Sequence, residues 1–232
     1  MPNIVLLLAD DLGYGDLGIY GHPTSNTPNI DKLAETSLDL RSFYVASPVC
    51  SPSRSAILTG NYPVTTGIWP AVFNADSLGG LDPEKFPTLA SRLLKLGYKT
   101  GHVGKWHLGV GKNQEYLPTN HGFQDYLGIP YSHDMCPCVH CFANQTCFDD
   151  CRTDVVGCPL FLNEDIIEQP TDLVNLTSKY NRAALKFIEE NKNDAFFLYY
   201  AFHQTHHPQF ASKCSKSLLN SSLYFLWLLC IL

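Results

Sequence analysis

The sequence has no surplus of positive charge. Its 16 Lys and Arg stand against 22 Asp and Glu, giving a net charge of −6. The cations are scattered, which argues against a nucleic-acid partner, because backbone binding needs clustered Lys and Arg. Nor is there an apolar run of the about 20 residues that a spanning helix needs. Leu218 to Leu232 comes nearest, with fifteen residues broken by Asn220, Ser221 and Ser222, so a membrane span is not expected. Met1 leads into "PNIVLLLADD", too short an apolar run and too bare of flanking positive charge to act as a secretory signal. The traits of a disordered chain are missing too: 232 residues with 45% hydrophobic content can bury the core of one large domain.

Cysteine, by contrast, is abundant. Six of nine crowd into "CPCVHCFANQTCFDDCRTDVVGC", residues 136–158, a cluster that reads either as disulfides or as metal ligands. The sequon at Asn144 lies inside it, and those at Asn175 and Asn220 follow. An oxidising secretory compartment, lysosomal or extracellular, accounts for both features. A zinc site is the rival, disfavoured by the sequon within the cluster and by the lack of paired CxxC spacing of the usual length.

Strand and helix patterns alternate along the chain. Ile4 to Ala9 is an all-apolar run ending at two acids, the pattern of a strand buried on both faces. "TPNIDKLAETS" has Thr27 as N-cap and Pro28 at the first helical position. "FPTLASRLLKLG" spaces Leu89, Leu93 and Leu96 along one face and closes with Gly97. Residues 172–191 place Leu173, Leu176, Tyr180, Ala184, Phe187 and Ile188 at helical intervals, and "AFFLYYA", 195–201, reads as a second buried strand. The fold class is therefore α/β.

In open α/β sheets ligands collect beyond the carboxyl ends of strands. Polar groups stand at such ends here: Asp10 and Asp11, then Lys105 and His107, then His203, His206 and His207. Singly, each has a plainer reading as a solvated turn, a helix cap or a surface histidine. Cys50, in "SPVCSPSRSAILTG", lies where a helix begins. A thiol there can act as a nucleophile, but the longer Cys–Arg spacing of tyrosine phosphatases is absent, since three residues separate Cys50 from Arg54. A buried structural cysteine is the alternative.

The segment "CSPSRSAILTG" resembles the signature of the type I sulfatases. "PNIVLLLADDLGYGDLGIYGHPTSNTPNIDKLA", "GYKTGHVGKWHLG", "HGFQDYLGIPYSHD" and "FFLYYAFHQTHHPQF" resemble arylsulfatase stretches in the same order, the last two pointing to the arylsulfatase A branch. The resemblance covers residues 2–210. It implies a mixed, largely parallel central sheet flanked by helices, as in the alkaline phosphatase-like sulfatase fold, and hydrolysis of a sulfate ester. It also implies that a formylglycine-generating enzyme oxidises Cys50 to formylglycine before folding is complete. Hydrated formylglycine is a geminal diol: one hydroxyl can attack sulfur and the other later eject sulfate by re-forming the aldehyde, a route closed to serine or cysteine.

The resemblance further assigns roles. Asp10, Asp11 and the oxygens at position 50 would bind one divalent cation, Ca2+, and Arg54 would stabilise the nucleophile. Lys105 and His107, projecting to one side of an extended segment, would bind sulfate and aid turnover. His206 would be the general acid, and Ser132 would hydrogen-bond at the site. His203 and His207 are expected to be bystanders or pocket-shaping residues. Nested bridges Cys141–Cys147 and Cys138–Cys151 are implied, while Cys136 and Cys158 receive no partner. The related phosphate-ester hydrolases normally carry Ser or Thr where Cys50 stands.

Residues 1–210 thus read as the N-terminal part of a sulfatase catalytic domain, and 211–232 as a divergent apolar tail without Asp or Glu. The family continues with an Asp-Asn pair for the cation, a further lysine and a second domain, none of which can be placed here. The expectation is a truncated sulfatase, either weakly active or catalytically silent; a weak membrane anchor is the alternative reading of the tail. The sequence names neither the natural sulfate ester nor an oligomeric state.

Overall fold

A computed structural model of the chain describes residues 1–136 and 157–207. Six strands form one mixed sheet in the order β1-β6-β2-β3-β4-β5. They are β1 (Ile4–Asp10), β2 (Lys99–Gly104), β3 (Asp125–Gly128), β4 (Leu160–Leu162), β5 (Asp165–Glu168) and β6 (Phe196–Thr205). β1, β6, β2 and β3 run parallel, and β4 and β5 add an antiparallel margin.

β6 is an interior strand, flanked by β1 and β2, and its continuous apolar run is covered on both faces. Phe196, Leu198, Tyr200 and Phe202 enter one core and Phe197, Tyr199 and Ala201 the other, following the twofold alternation of a strand. The first core is closed by α5 (Leu176–Glu190), which buries Leu176, Tyr180, Ala184 and Phe187 at the spacing the sequence shows. The second is closed by α2 (Cys50–Thr59), through Leu58, and by α4 (Leu89–Lys95), through Ala90 and Leu93. Helices α1 (Pro28–Ala34) and α3 (Pro63–Thr66) complete the set. Among the described residues no helix is long and apolar enough to cross a membrane.

Two expectations about packing are corrected. Among the described residues β1 is an edge strand rather than a doubly buried one: Val5 and Leu7 are 48% and 43% exposed, while Ile4, Leu6 and Leu8 pack against the second core. An apolar run alone does not distinguish an edge strand from a central one. On α4, Leu89 and Leu96 face outward, and the buried stripe is Ala90 with Leu93, because small Ala90 permits close approach to the sheet.

The parallel register sets up the site. Leu8 of β1 and Gly104 of β2 both pair with Ala201 of β6, and Asp10 pairs with Thr205, so three carboxyl ends lie side by side. Gly104 is required where β2 stops. Its φ is 113°, and a Cβ there would lie 1.8 Å from the Ala201 carbonyl oxygen. The chain passes this close to β6 and then turns Lys105 inward, with Lys105 N donating to Ala201 O at 2.9 Å.

Candidate active site

Cys50 opens α2, with the helix N-terminus and its unsatisfied N–H groups beside the thiol. Four residues on, Arg54 shares its face, and Leu58 continues that stripe into the core. The helix is thus pinned by Leu58 while Cys50 and Arg54 are presented to the sheet's carboxyl edge. Ser51, Pro52 and Arg54 are all buried, so the segment that resembles the modification signature is out of reach once the chain has folded.

At the centre is Asp10, 5% exposed. Arg54 Nη2 donates to its Oδ1 at 3.2 Å, and Lys105 Nζ donates to its Oδ2 at 2.6 Å. Burial alone would raise the Asp10 pKa, but Arg54 and Lys105 overcome that and hold the carboxyl well below the usual carboxylate range. Lys105 is fully buried and uses all three ammonium donors, reaching Ser132 Oγ at 2.9 Å and Cys50 Sγ at 3.3 Å as well. Arg54 Nη1 donates to Lys105 O at 2.8 Å and to Tyr199 Oη at 3.4 Å.

His206 follows β6 directly, its side chain 9% exposed and its Nε2 3.5 Å from Asp11 Oδ2. Burial would lower its pKa. The hydrogen bond with Cys50 and the charges of Asp10 and Asp134 outweigh this, raising it to about 9. The Cys50 thiol answers in kind: burial pushes it up, but the His206 hydrogen bond and the Lys105 charge bring it below the ordinary thiol value. Each of the two groups therefore favours the charged form of the other.

His107 does not join this group directly. It lies past the end of β2 with φ 60°, so strand alternation does not govern where it points. Its Nε2 donates to Phe73 O at 2.9 Å, and Phe73 N in turn donates to Ser51 Oγ at 3.2 Å, linking it to the residue after Cys50. Burial, then the Lys105 and Arg54 charges, depress its pKa to about 3, so it is a neutral imidazole. His203 is a core residue bonded to Tyr180 Oη at 3.1 Å.

Tyr199 and Asp134 were not singled out by sequence reasoning. Alternation along "AFFLYYA" puts Tyr199 on the α2 side, which was a usable signal for the first. Asp134, held low against burial by a Ser132 hydrogen bond and by His206, had none beyond its place in "YSHD". Another correction concerns Cys136 and Cys158, which are bonded to one another and close the loop behind Asp134. The implied pairs Cys141–Cys147 and Cys138–Cys151, and the sequons at Asn144 and Asn220, lie outside the described residues. Asn175 is described and exposed, just ahead of α5.

Asp10, Cys50 and His206 bring one ligand atom each within 4.8 Å of one another, and Asp11 adds an exposed carboxylate. Two carboxylates, with oxygen replacing sulfur at position 50, suit a hard cation in kind, although calcium takes about 6–8 oxygens. The residues present therefore fit part of such a site.

This fold and site define a hydrolase-like α/β protein with a polar centre beyond the carboxyl ends of parallel strands. A sulfatase family model matches residues 2–218. The chain is 48% identical over 217 residues to arylsulfatase A of Bos taurus and of Homo sapiens, covering 91% of its own length and 43% of theirs. It is 39% identical to arylsulfatase G of Homo sapiens, over 96% of this chain and 45% of that one. Among solved structures, Ps i-CgsB superposes with a TM-score of 0.75 at 32% identity, covering 94% of this chain and 48% of that one. The PsFucS1 sulfatase from Pseudoalteromonas sp. gives 0.76 at 28%, with coverages of 94% and 46%. The chain belongs to the sulfatase family. It spans less than half the length of these relatives.

Proposed function

We propose that the chain carries the nucleophile, sulfate-binding and proton-donating groups of a sulfuric ester hydrolase of the arylsulfatase type. The observation behind this is the convergence of Asp10, Cys50, Arg54 and Lys105 at one point, with His206 beside them. In this reading Cys50 Sγ stands in for the oxygens of hydrated formylglycine, which would supply one hydroxyl to attack sulfur and another to release sulfate. Lys105 and Arg54 neutralise the charge at position 50, and Lys105 Nζ exchanges its Ser132 bond for one to a sulfate oxygen. His206 donates the proton to the leaving oxygen. His107, neutral and anchored on Phe73, positions the 73 and 51 segments around the nucleophile. A divalent cation, calcium by resemblance, would be held by Asp10, Asp11 and position 50 and would polarise the sulfate. Secretory processing, lysosomal or extracellular, accords with the Cys136–Cys158 disulfide and exposed Asn175.

One observation favours a second reading, in which a sulfated ligand binds without turnover. Both Asp10 oxygens are already engaged, Oδ1 by Arg54 and Oδ2 by Lys105, so this carboxylate is committed to side-chain cations rather than to a divalent ion. The experiment is co-expression with the formylglycine-generating enzyme, mass spectrometry of the Cys50 peptide and assay on a chromogenic aryl sulfate. Conversion that fails in both Pro52→Ala and Arg54→Ala, with turnover lost in Cys50→Ser and Asp10→Ala, supports hydrolysis. Conversion with saturable ligand binding but no turnover selects the second reading. Unmodified thiol under these conditions refutes the formylglycine assignment. With Asp10 and Asp11 as the carboxylates in reach, turnover by the described residues alone is expected to be about a hundred- to a thousandfold below a full-length relative.

A further inference from the structure

We propose that Asp134, His206 and His207 form a transition-metal site at the rim of the Cys50 pocket, and that it takes zinc. One ligand atom from each of the three lies within 4.8 Å of the other two. The His206 and His207 rings stack with centroids 4.7 Å apart, and His133 stands edge-on to His206 at 5.5 Å. Asp134 sits in the short turn His133–Met135, directly ahead of the Cys136–Cys158 disulfide, so its backbone is held.

A second observation points to a cation. Asp134 Oδ1 is buried and has no hydrogen-bond partner. A buried carboxylate oxygen is costly to leave unmatched, and a metal ion at this point satisfies it. The donors choose the ion: two imidazoles and one carboxylate suit zinc, with a water in the fourth position and with His206 releasing its ring proton and its Nδ1 bond to the His207 carbonyl as zinc binds, whereas calcium and magnesium prefer oxygen alone. Zinc–ligand bonds of about 2.0–2.2 Å require the donor atoms to close to roughly 3.4 Å of one another. Exposed His207 has room to make that movement.

The site differs from the Asp10–Cys50–His206 group in two of its three residues, and its binding of zinc does not depend on the hydrolase reading. Because His206 is common to both, zinc at the rim withdraws the imidazole that the proposed reaction needs.

The test is calorimetric titration with zinc chloride, in a buffer that does not bind metal, of the full chain carrying Cys50→Ser. That background removes the thiolate from the neighbouring group. One zinc per chain is expected, and cobalt in its place should give a tetrahedral visible spectrum without a thiolate charge-transfer band. His207→Ala and Asp134→Asn, each added to this background and checked for unchanged circular dichroism, should weaken binding by more than about a hundredfold, beyond what loss of an outer partner costs. His207 is exposed, so its variant keeps the test open should Asp134→Asn fold poorly. Absence of zinc binding in the Cys50→Ser chain overturns the proposal. So does equal affinity of the His207→Ala variant and its parent.

Discussion

Asp10→Asn keeps the size of the side chain and removes its charge, leaving two buried cations with no anion between them. Lys105 is fully buried and Arg54 is 2% exposed, so neither can turn to water for compensation. Removing one partner of a buried ion pair typically costs about 3–5 kcal/mol, most of it the penalty of the charge left behind. For a chain of this length each kcal/mol lowers the melting temperature by about 2–4 °C, so the variant should melt about 6–20 °C below the parent. Thermal melting followed by far-UV circular dichroism reads this directly, and urea unfolding should show the loss at unchanged slope. The sign with pH is also set. The Asp10 pKa is depressed in the folded chain, so its contribution is complete above the unfolded value of about 3.9 and is lost as pH falls through the folded value. The gap between parent and variant should therefore be flat from about pH 5 to 7 and narrow only in strong acid. Lys105→Met added to Asp10→Asn should cost less than the sum of the two singly, because the double variant strands one charge fewer. A melting shift below about 2 °C, or strict additivity, would refute the account of Asp10 as the anion balancing two buried cations.

Other expectations follow from the same geometry. Alkylation of Cys50 by iodoacetamide should proceed at pH values below those an ordinary thiol needs, and His206→Gln should move the profile upward, since it removes the largest influence lowering the thiol pKa. Cys136→Ser opens a loop closed across a sequence separation of 22 residues and should cost about 3 kcal/mol in chemical denaturation. Nonreducing peptide mapping should recover the Cys136–Cys158 link, and the same map tests the proposed Cys141–Cys147 pair. Gly104→Ala forces a Cβ onto the Ala201 carbonyl at positive φ and should destabilise by at least about 2 kcal/mol, measured by the same melting assay.

What the sequence shows and what it hides can be traced to the distances over which its signals act. Cys50 and Arg54 are legible because a helix fixes residues four apart on one face, and α2 does so. The run 195–201 is legible because a strand buried on both faces must be apolar throughout, and β6 is. The same logic misplaces β1, since Ile4 to Ala9 has equal apolarity yet lies at the sheet edge, a position set by strand order and not by composition. It also fails at His107, where the positive φ of Gly104 and of His107 itself breaks the alternation that would relate it to Lys105. Tyr199 and Asp134 enter the site through register: Tyr199 meets Arg54 across 145 residues, and Asp134, in the turn that follows β3, reaches His206 because β3, β2 and β6 run parallel to the same edge. The same alignment accounts for the site as a whole. Asp10, Lys105 and His206 are separated by about a hundred residues at each step, and they meet because Asp10 ends β1 while Lys105 and His206 each stand one residue past β2 and β6, strands that run in parallel. A one-residue slip of β1 or β2 against β6 would turn Asp10 or Lys105 to the opposite face of the sheet. The apolar packing of both faces of β6 therefore stabilises the geometry of the proposed site as well as the fold, because the core residues Phe197, Leu198, Tyr199 and Tyr200 hold the register in which three distant polar residues meet.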